Sequence, residues 1–331
     1  MKKHLKYAFL LLLCTILIIP LAACGKDEVK TVRIGEVTRS IFYTPQYVAI
    51  AKGFFEEEGL KVELSTIPGG DKTMTALLSD GIDVALVGSE TSIYVYAQGS
   101  TDPVKNFAAL TRNDGTFLVS REPIENFDWS QIKGTDFLGQ RSGGMPQMVG
   151  EYVLKKHGIN PKTDLNLIQN IDFANIAPAF ASGTGDFVQL FEPTASVFEI
   201  DGTGHVIASF GEESGELPYT SFMAKESYMK ENSEVVEKFT RALYKAQQYV
   251  EEANAMEIAE AISPYFENTS KELIAQVVER YRSQGSFAKD PIISEQAWLN
   301  LHDVMREAGQ LPAEVPYEEL VTVEFAEKVM K

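Results

Sequence analysis

Residues 31–89 read TVRIGEVTRSIFYTPQYVAIAKGFFEEEGLKVELSTIPGGDKTMTALLSDGIDVALVGS, and two periodicities alternate along them. Residues 32–37 and 60–67 are rich in β-branched side chains, and 82–87 (IDVALV) are apolar nearly throughout, as a parallel strand covered on both faces should be. Helical stretches separate them: 45–52 stops at Gly53, 71–79 opens on Asp71 as the expected N-cap, and 91–98 follows the third strand. Strand and helix alternating in steps this short imply βα units, hence an α/β fold built on a mostly parallel sheet.

Downstream the pattern restarts. Residues 117–120, 137–140, 165–169, 186–191 and 205–210 have strand character, whereas 146–157, with Pro146 in its first turn and Gly158 after it, and 176–182 have helical character. Residues 194–200 fit either. Beyond Pro218 the composition shifts to long amphipathic helices over 233–253, 271–281 and 295–308, with apolar residues three and four apart and charges between them. Two α/β series of similar length argue for two lobes.

Upstream, Met1 to Lys6 is basic and residues 7–20 are uncharged and apolar. Fourteen helical residues reach about 21 Å, short of the roughly 30 Å hydrocarbon layer, so this segment is expected to be a secretory leader rather than a span. Leu21-Ala22-Ala23-Cys24 resembles a bacterial lipobox, which makes residues 1–23 a signal peptide, Cys24 the lipidation site and 24–30 a tether. Cys14 lies in the leader, so the folded body has no thiol for a disulfide, a nucleophile or a metal. Loss of the leader removes three lysines and no acid, taking the formal charge from −17 to −20. Such a surface repels nucleic acid and anionic headgroups, and no nucleic-acid partner is expected.

Tyr47-Val48-Ala49 followed by Ala51-Lys52-Gly53-Phe54-Phe55, then Glu58-Gly59-Leu60-Lys61-Val62, Gly69-Gly70, the run 76–85 (ALLSDGIDVA) and Gly88-Ser89 come in an order that resembles one family. It is the solute-binding family that includes receptors for thiamine-precursor pyrimidines and for alkyl sulfonates, taurine and nitrate. The resemblance implies a type II periplasmic binding protein fold: two lobes, each a mostly parallel sheet flanked by helices, joined by two crossover strands and closing on a ligand. It places 31–113 and 217–331 in lobe 1 and 114–216 in lobe 2. It also implies an ABC permease and its ATPase as partners, a membrane attachment through lipid on the extracytoplasmic face, a monomer, and no cofactor.

In open α/β sheets ligands lie beyond the carboxyl ends of the strands, which singles out four loops. Residues 38–44 offer Arg39, Phe42 and Tyr43, to stack on a planar ligand or to plug the lobe interface. Ser89, Glu90 and Thr91 stand at a helix start, to cap it or to receive a polar ligand atom. Residues 140–146 (QRSGGMP) present Arg141, Gly143, Gly144 and Met145 at the start of a helix whose positive end could take an anionic or accepting group; the alternative is a tight turn with Arg141 in solvent. Asn170 and Asp172, with Glu192, end strands of the second series, as hydrogen-bond acceptors or as hinge and surface acids. Three carboxylates beside one anion site favour a ligand bearing N–H donors, a nitrogen heterocycle of the thiamine-precursor pyrimidine type, over a sulfonate, taurine or nitrate.

An enzyme is the rival class, and a structural or sensory lipoprotein is a third. Gly-x-Ser-x-Gly, Gly-x-x-x-x-Gly-Lys and His-Glu-x-x-His are all missing from the sequence. After the leader only His157, His205 and His302 remain, far apart, so neither catalytic nor metal-binding residues are expected. The His-rich pattern of those relatives that make a pyrimidine with iron assistance is not visible.

Overall fold

The computed structural model describes residues 29–331, so the leader, Cys24 and all but the end of the tether lie outside the described residues. Two five-stranded sheets, flanked by helices, organise the rest. The first has the order β2-β1-β3-β10-β4, from β1 (Lys30–Glu36), β2 (Leu60–Thr66), β3 (Val84–Gly88), β4 (Val104–Thr111) and β10 (Thr220–Lys225). The second has the order β7-β6-β8-β5-β9, from β5 (Thr116–Ser120), β6 (Asp136–Leu138), β7 (Asn166–Ile168), β8 (Phe187–Phe191) and β9 (His205–Ser209).

β1 pairs in parallel with β2 and β3, while β10 is antiparallel to both β3 and β4. β6 pairs in parallel with β7 and β8, while β5 is antiparallel to both β8 and β9. Each sheet therefore has four strands running one way and one reversed. The reversed strands are β5 and β10, the first strands formed after the chain passes from one sheet to the other and after it returns. That is the α/β architecture expected from the sequence, two mostly parallel sheets flanked by helices.

Burial explains why the elements form. The Ser233–Glu252 helix buries Val236, Phe239, Leu243, Ala246 and Val250 at three- and four-residue spacing. Phe239 packs against Phe55 at a tilt and edge-to-face against Phe222 of β10 and Phe107 of β4, with ring centroids 4.9, 5.0 and 5.7 Å away, so this helix covers the strands that close the first sheet. Each such ring contributes on the order of 2–3 kcal/mol by leaving water.

The structure adds to or corrects the local reading at several points. β4, β10 and the Ala255–Ile262 helix were not legible as elements. β10 follows Pro218, where the sequence had pointed to helices, yet it lies mid-sheet with five of its six residues buried. Asp71 sits inside the first turn of the Gly70–Leu78 helix, and Gly69 takes the N-cap position. Residues 194–200 resolve as the Thr194–Asp201 helix.

Candidate functional site

Strand register brings the loops of the first sheet to one edge. β10 begins at Thr220, which pairs with Gly88 at the end of β3 and with Thr111 at the end of β4. The segments after β1, β3 and β4, and Tyr219 just before β10, thus share that edge. In the second sheet Thr116 at the start of β5 pairs with Phe191 at the end of β8. The two edges face each other. The Phe42 ring lies 6.1 Å from that of Phe191, and the Tyr94 hydroxyl lies 3.7 Å from Met148 Sδ. Tyr281 donates its hydroxyl to the Gly115 carbonyl at 2.9 Å and receives the Glu192 N–H at 3.2 Å.

Phe42 is the hub of an aromatic wall at this junction. It is buried, with the rings of Tyr281, Tyr219 and Tyr43 at 5.0, 5.6 and 6.0 Å. The chain passes the ring closely: a Cβ on Gly115 would lie 2.8 Å from it, so glycine is what the crossing tolerates. Burial pushes the Tyr43 and Tyr219 hydroxyls well above the ordinary tyrosine range, keeping both as neutral donors.

Two carboxyl groups at the junction each have an oxygen without a hydrogen-bond partner. Glu90 opens the Glu90–Ala97 helix and is only 4% exposed. Its carboxylate folds back over Gly88, where an added Cβ would lie 2.1 Å from Oε2. The backbone N–H groups of Glu90 and Met145 favour its charged form, but burial outweighs them and moves it up to about 7. Oε2 is buried without a hydrogen-bond partner. Asp114, in the crossover from β4 to β5, is fully buried. Its Oδ1 accepts from the Thr116 N–H at 2.6 Å and from the Thr116 hydroxyl, while Oδ2 has no partner. Burial moves Asp114 up to about 6. The Tyr219 hydroxyl beside it is likewise buried without a partner of hydrogen-bond geometry.

The structure divides the sequence candidates. Tyr43, Ser89, Glu90, Thr91 and Met145 are buried at or beside the junction. The hydroxyls of Ser89 and Thr91 are already engaged, with Ser221 Oγ at 2.9 Å and with the Gly88 carbonyl at 2.7 Å. Gly143 and Gly144 lead into the Met145–Lys156 helix, and the Gly143 N–H donates to Gln147 Oε1 at 3.1 Å. Arg141 and Asp172 stand in solvent, 67% and 77% exposed and 4.0 Å apart, and Asn170 is exposed beside them. Arg39 pairs at 3.1 Å with Glu36, a buried carboxylate that also accepts from Tyr47, Gln46 and Thr66. Glu192 is buried with every oxygen used: Oε1 meets Arg280 at 2.7 Å and the Ser196 hydroxyl at 2.9 Å, and Oε2 takes the Ser196 N–H at 2.9 Å. It accepts from the first turn of the Thr194–Asp201 helix and ties the end of β8 to the Lys271–Ser283 helix.

A family model, the NMT1-like family, matches residues 25–263. The chain belongs to the NMT1-like family. YtlA of Bacillus subtilis (strain 168), provisionally named a binding protein, is 59% identical to this NMT1-like protein over 330 residues, 99% of each chain. Among solved structures, the alkanesulfonate-binding protein SsuA of Xanthomonas axonopodis pv. citri bound to MOPS is 19% identical with a TM-score of 0.70, covering 89% of this chain and 99% of its own. The periplasmic nitrate-binding protein NrtA of Synechocystis PCC 6803 is 19% identical with a TM-score of 0.68, over 91% and 88%. At that identity the likeness concerns the fold. These relatives carry the names of binding proteins, not of enzymes.

Among the described residues of this NMT1-like protein, no group of three His, Cys, Asp or Glu is placed to hold a metal, and no helix is long and apolar enough to cross a membrane. What the junction offers is two buried carboxyls with free lone pairs, neutral phenols and an aromatic wall. Carboxyl oxygens accept hydrogen bonds and aromatic faces pack against flat apolar surface. Asp114, Tyr219 and Tyr281 escaped the sequence reading. Asn113-Asp114-Gly115 between two strands was a findable signal, as was Tyr219 after Pro218; Tyr281 lies within a helical pattern and carried none.

Proposed function

We propose that the protein is an extracytoplasmic substrate-binding lipoprotein of an ABC importer that captures a small, planar nitrogen heterocycle of the thiamine-precursor pyrimidine type. One observation carries the reading: Glu90 Oε2 is buried without a partner, and Asp114 is fully buried with the Tyr219 hydroxyl beside its carboxyl, both next to a wall of aromatic rings. An unpartnered buried carboxyl oxygen costs on the order of 1–3 kcal/mol, and a ligand N–H relieves that cost while its ring stacks. Residues 31–113 with 217–331 form one lobe in this reading and 114–216 the other. The ligand prefers the closed form, and that preference drives closure towards the permease and its ATPase. The lipobox-like Leu21-Ala22-Ala23-Cys24 supports export, cleavage after Ala23 and acylation of Cys24, with the folded part acting as a monomer.

The test is a thermal-shift screen of the full chain in detergent against aminopyrimidines, thiamine, riboflavin, sulfonates, taurine and nitrate. A ligand at 100 times its Kd stabilises the folded state by about 2.7 kcal/mol. An aminopyrimidine is expected to raise the melting point, and both Glu90→Gln and Asp114→Asn to weaken its binding about tenfold or more. Stabilisation by a sulfonate, taurine or nitrate alone sinks this reading in favour of a receptor of the kind that the names SsuA and NrtA describe.

A further inference from the structure

The Glu90–Ala97 and Met145–Lys156 helices, one from each side of the junction, meet at their first turns. Glu90 and Tyr94 are one helical turn apart and face Met145 and Met148, with the Tyr94 hydroxyl 3.7 Å from Met148 Sδ. The start of the twelve-residue Met145–Lys156 helix, led by Gly143-Gly144, would by itself be a place for an oxyanion, because its first N–H groups lack intrahelical partners. Here that place has an occupant from within the chain. The Glu90 carboxylate lies over Gly88 with the Met145 N–H directed at it, and it is almost wholly buried with Oε2 unpartnered.

We infer that Glu90 decides the charge class of the ligand: its carboxylate takes the position a sulfonate, sulfate or nitrate oxygen would need at the start of the Met145–Lys156 helix, so oxyanions are excluded and donor-bearing ligands are selected. Three physical facts combine. A second anion brought against the Glu90 carboxylate would meet like-charge repulsion in a buried, poorly screened place, more than one helix end returns. Among the described residues no Lys or Arg is paired with Glu90 to offset that charge, and Arg141, in the loop before the Met145–Lys156 helix, is turned to Asp172. The carboxylate also occupies the space over Gly88 that a Cβ would otherwise fill. The inference rests on the junction being the ligand site, but it concerns which charge the site refuses.

The experiment measures methanesulfonate, sulfate and nitrate binding by calorimetry at pH 8, using the full chain in detergent and the variants Glu90→Gln and Glu90→Ser. Glu90→Gln keeps the shape and removes the charge; Glu90→Ser removes both, and the melting curve of each reports its folding. Wild type is expected to show no saturable oxyanion binding, and at least one folded variant to bind an oxyanion at least tenfold more tightly. Wild type binding an oxyanion as tightly as the variants, or folded variants showing no gain, overturns the inference. Oxyanion gain without aminopyrimidine binding by wild type would leave this inference standing and remove the pyrimidine reading; aminopyrimidine binding without oxyanion gain would do the reverse.

Discussion

Arg280 ties the Lys271–Ser283 helix to the end of β8 through a charge pair with Glu192. Arg280 Nη1, on the Lys271–Ser283 helix, lies 2.7 Å from Glu192 Oε1 at the end of β8, and Nη2 reaches Glu199 at 2.8 Å. Among the described residues Glu192 has no other counter-charge, and the Ser196 contacts supply only neutral donors.

Removing the cation should therefore cost more than removing the acid. Arg280→Leu leaves a buried carboxylate uncompensated and is expected to lower stability by about 3 kcal/mol, measured by urea denaturation. Glu192→Gln leaves the partly exposed Arg280 able to turn to Glu199 or water and should cost less than half of that. Equal losses would mean that the pair does not bear on stability as argued.

Two glycines at the junction should separate fold from function. Gly115→Ala drives a Cβ against the Phe42 ring, itself locked among Tyr43, Tyr219 and Tyr281, and is expected to cost about 1–3 kcal/mol. Gly88→Ala meets only the end of the Glu90 side chain, which can swing away. Its melting point should move little while ligand affinity drops as it does in Glu90→Gln. A Gly88→Ala protein that binds as wild type does would show that the fold-back of Glu90 is irrelevant to the ligand.

The pH dependence carries a definite sign. Glu90 moves from an ordinary value of 4.5 up to about 7, and Asp114 from 3.8 up to about 6, both through burial. The unfolded chain then releases these protons at lower pH than the folded one. Their contribution to stability is full below pH 4 and is lost as pH rises, for Asp114 between about 4 and 6 and for Glu90 between about 4.5 and 7. At 1.36 kcal/mol per unit the Glu90 share is on the order of 3 kcal/mol at most. Glu90→Gln should accordingly gain on wild type as pH is raised from 4.5 to 8 in the absence of ligand, read from urea midpoints at each pH. A constant offset between the two proteins would show that Glu90 is not desolvated.

Much of the fold was written locally. The order of strand and helix over 31–99, the apolar run of β3 and the restart after 117 are periodicity signals that need no knowledge of neighbours. β4 and β10 were missed because VKNFAALT and TSFMAK are short mixed runs whose strand character comes from burial between partners distant in sequence. Of the candidate site, Tyr43, Glu90 and Met145 were legible as residues at strand ends and helix starts. Arg141, Asp172 and Glu192 carried the same signal, yet two stand in solvent and the third is consumed by Arg280.

The sequence by itself determined the α/β class, the two series and the acidic, thiol-free body, because composition and period act over a few residues at a time. Only the tertiary structure decided which carboxyls are left without partners. Desolvation and pairing depend on atoms brought from the far side of the chain: Met145 against Glu90, Tyr219 beside Asp114, Arg280 onto Glu192.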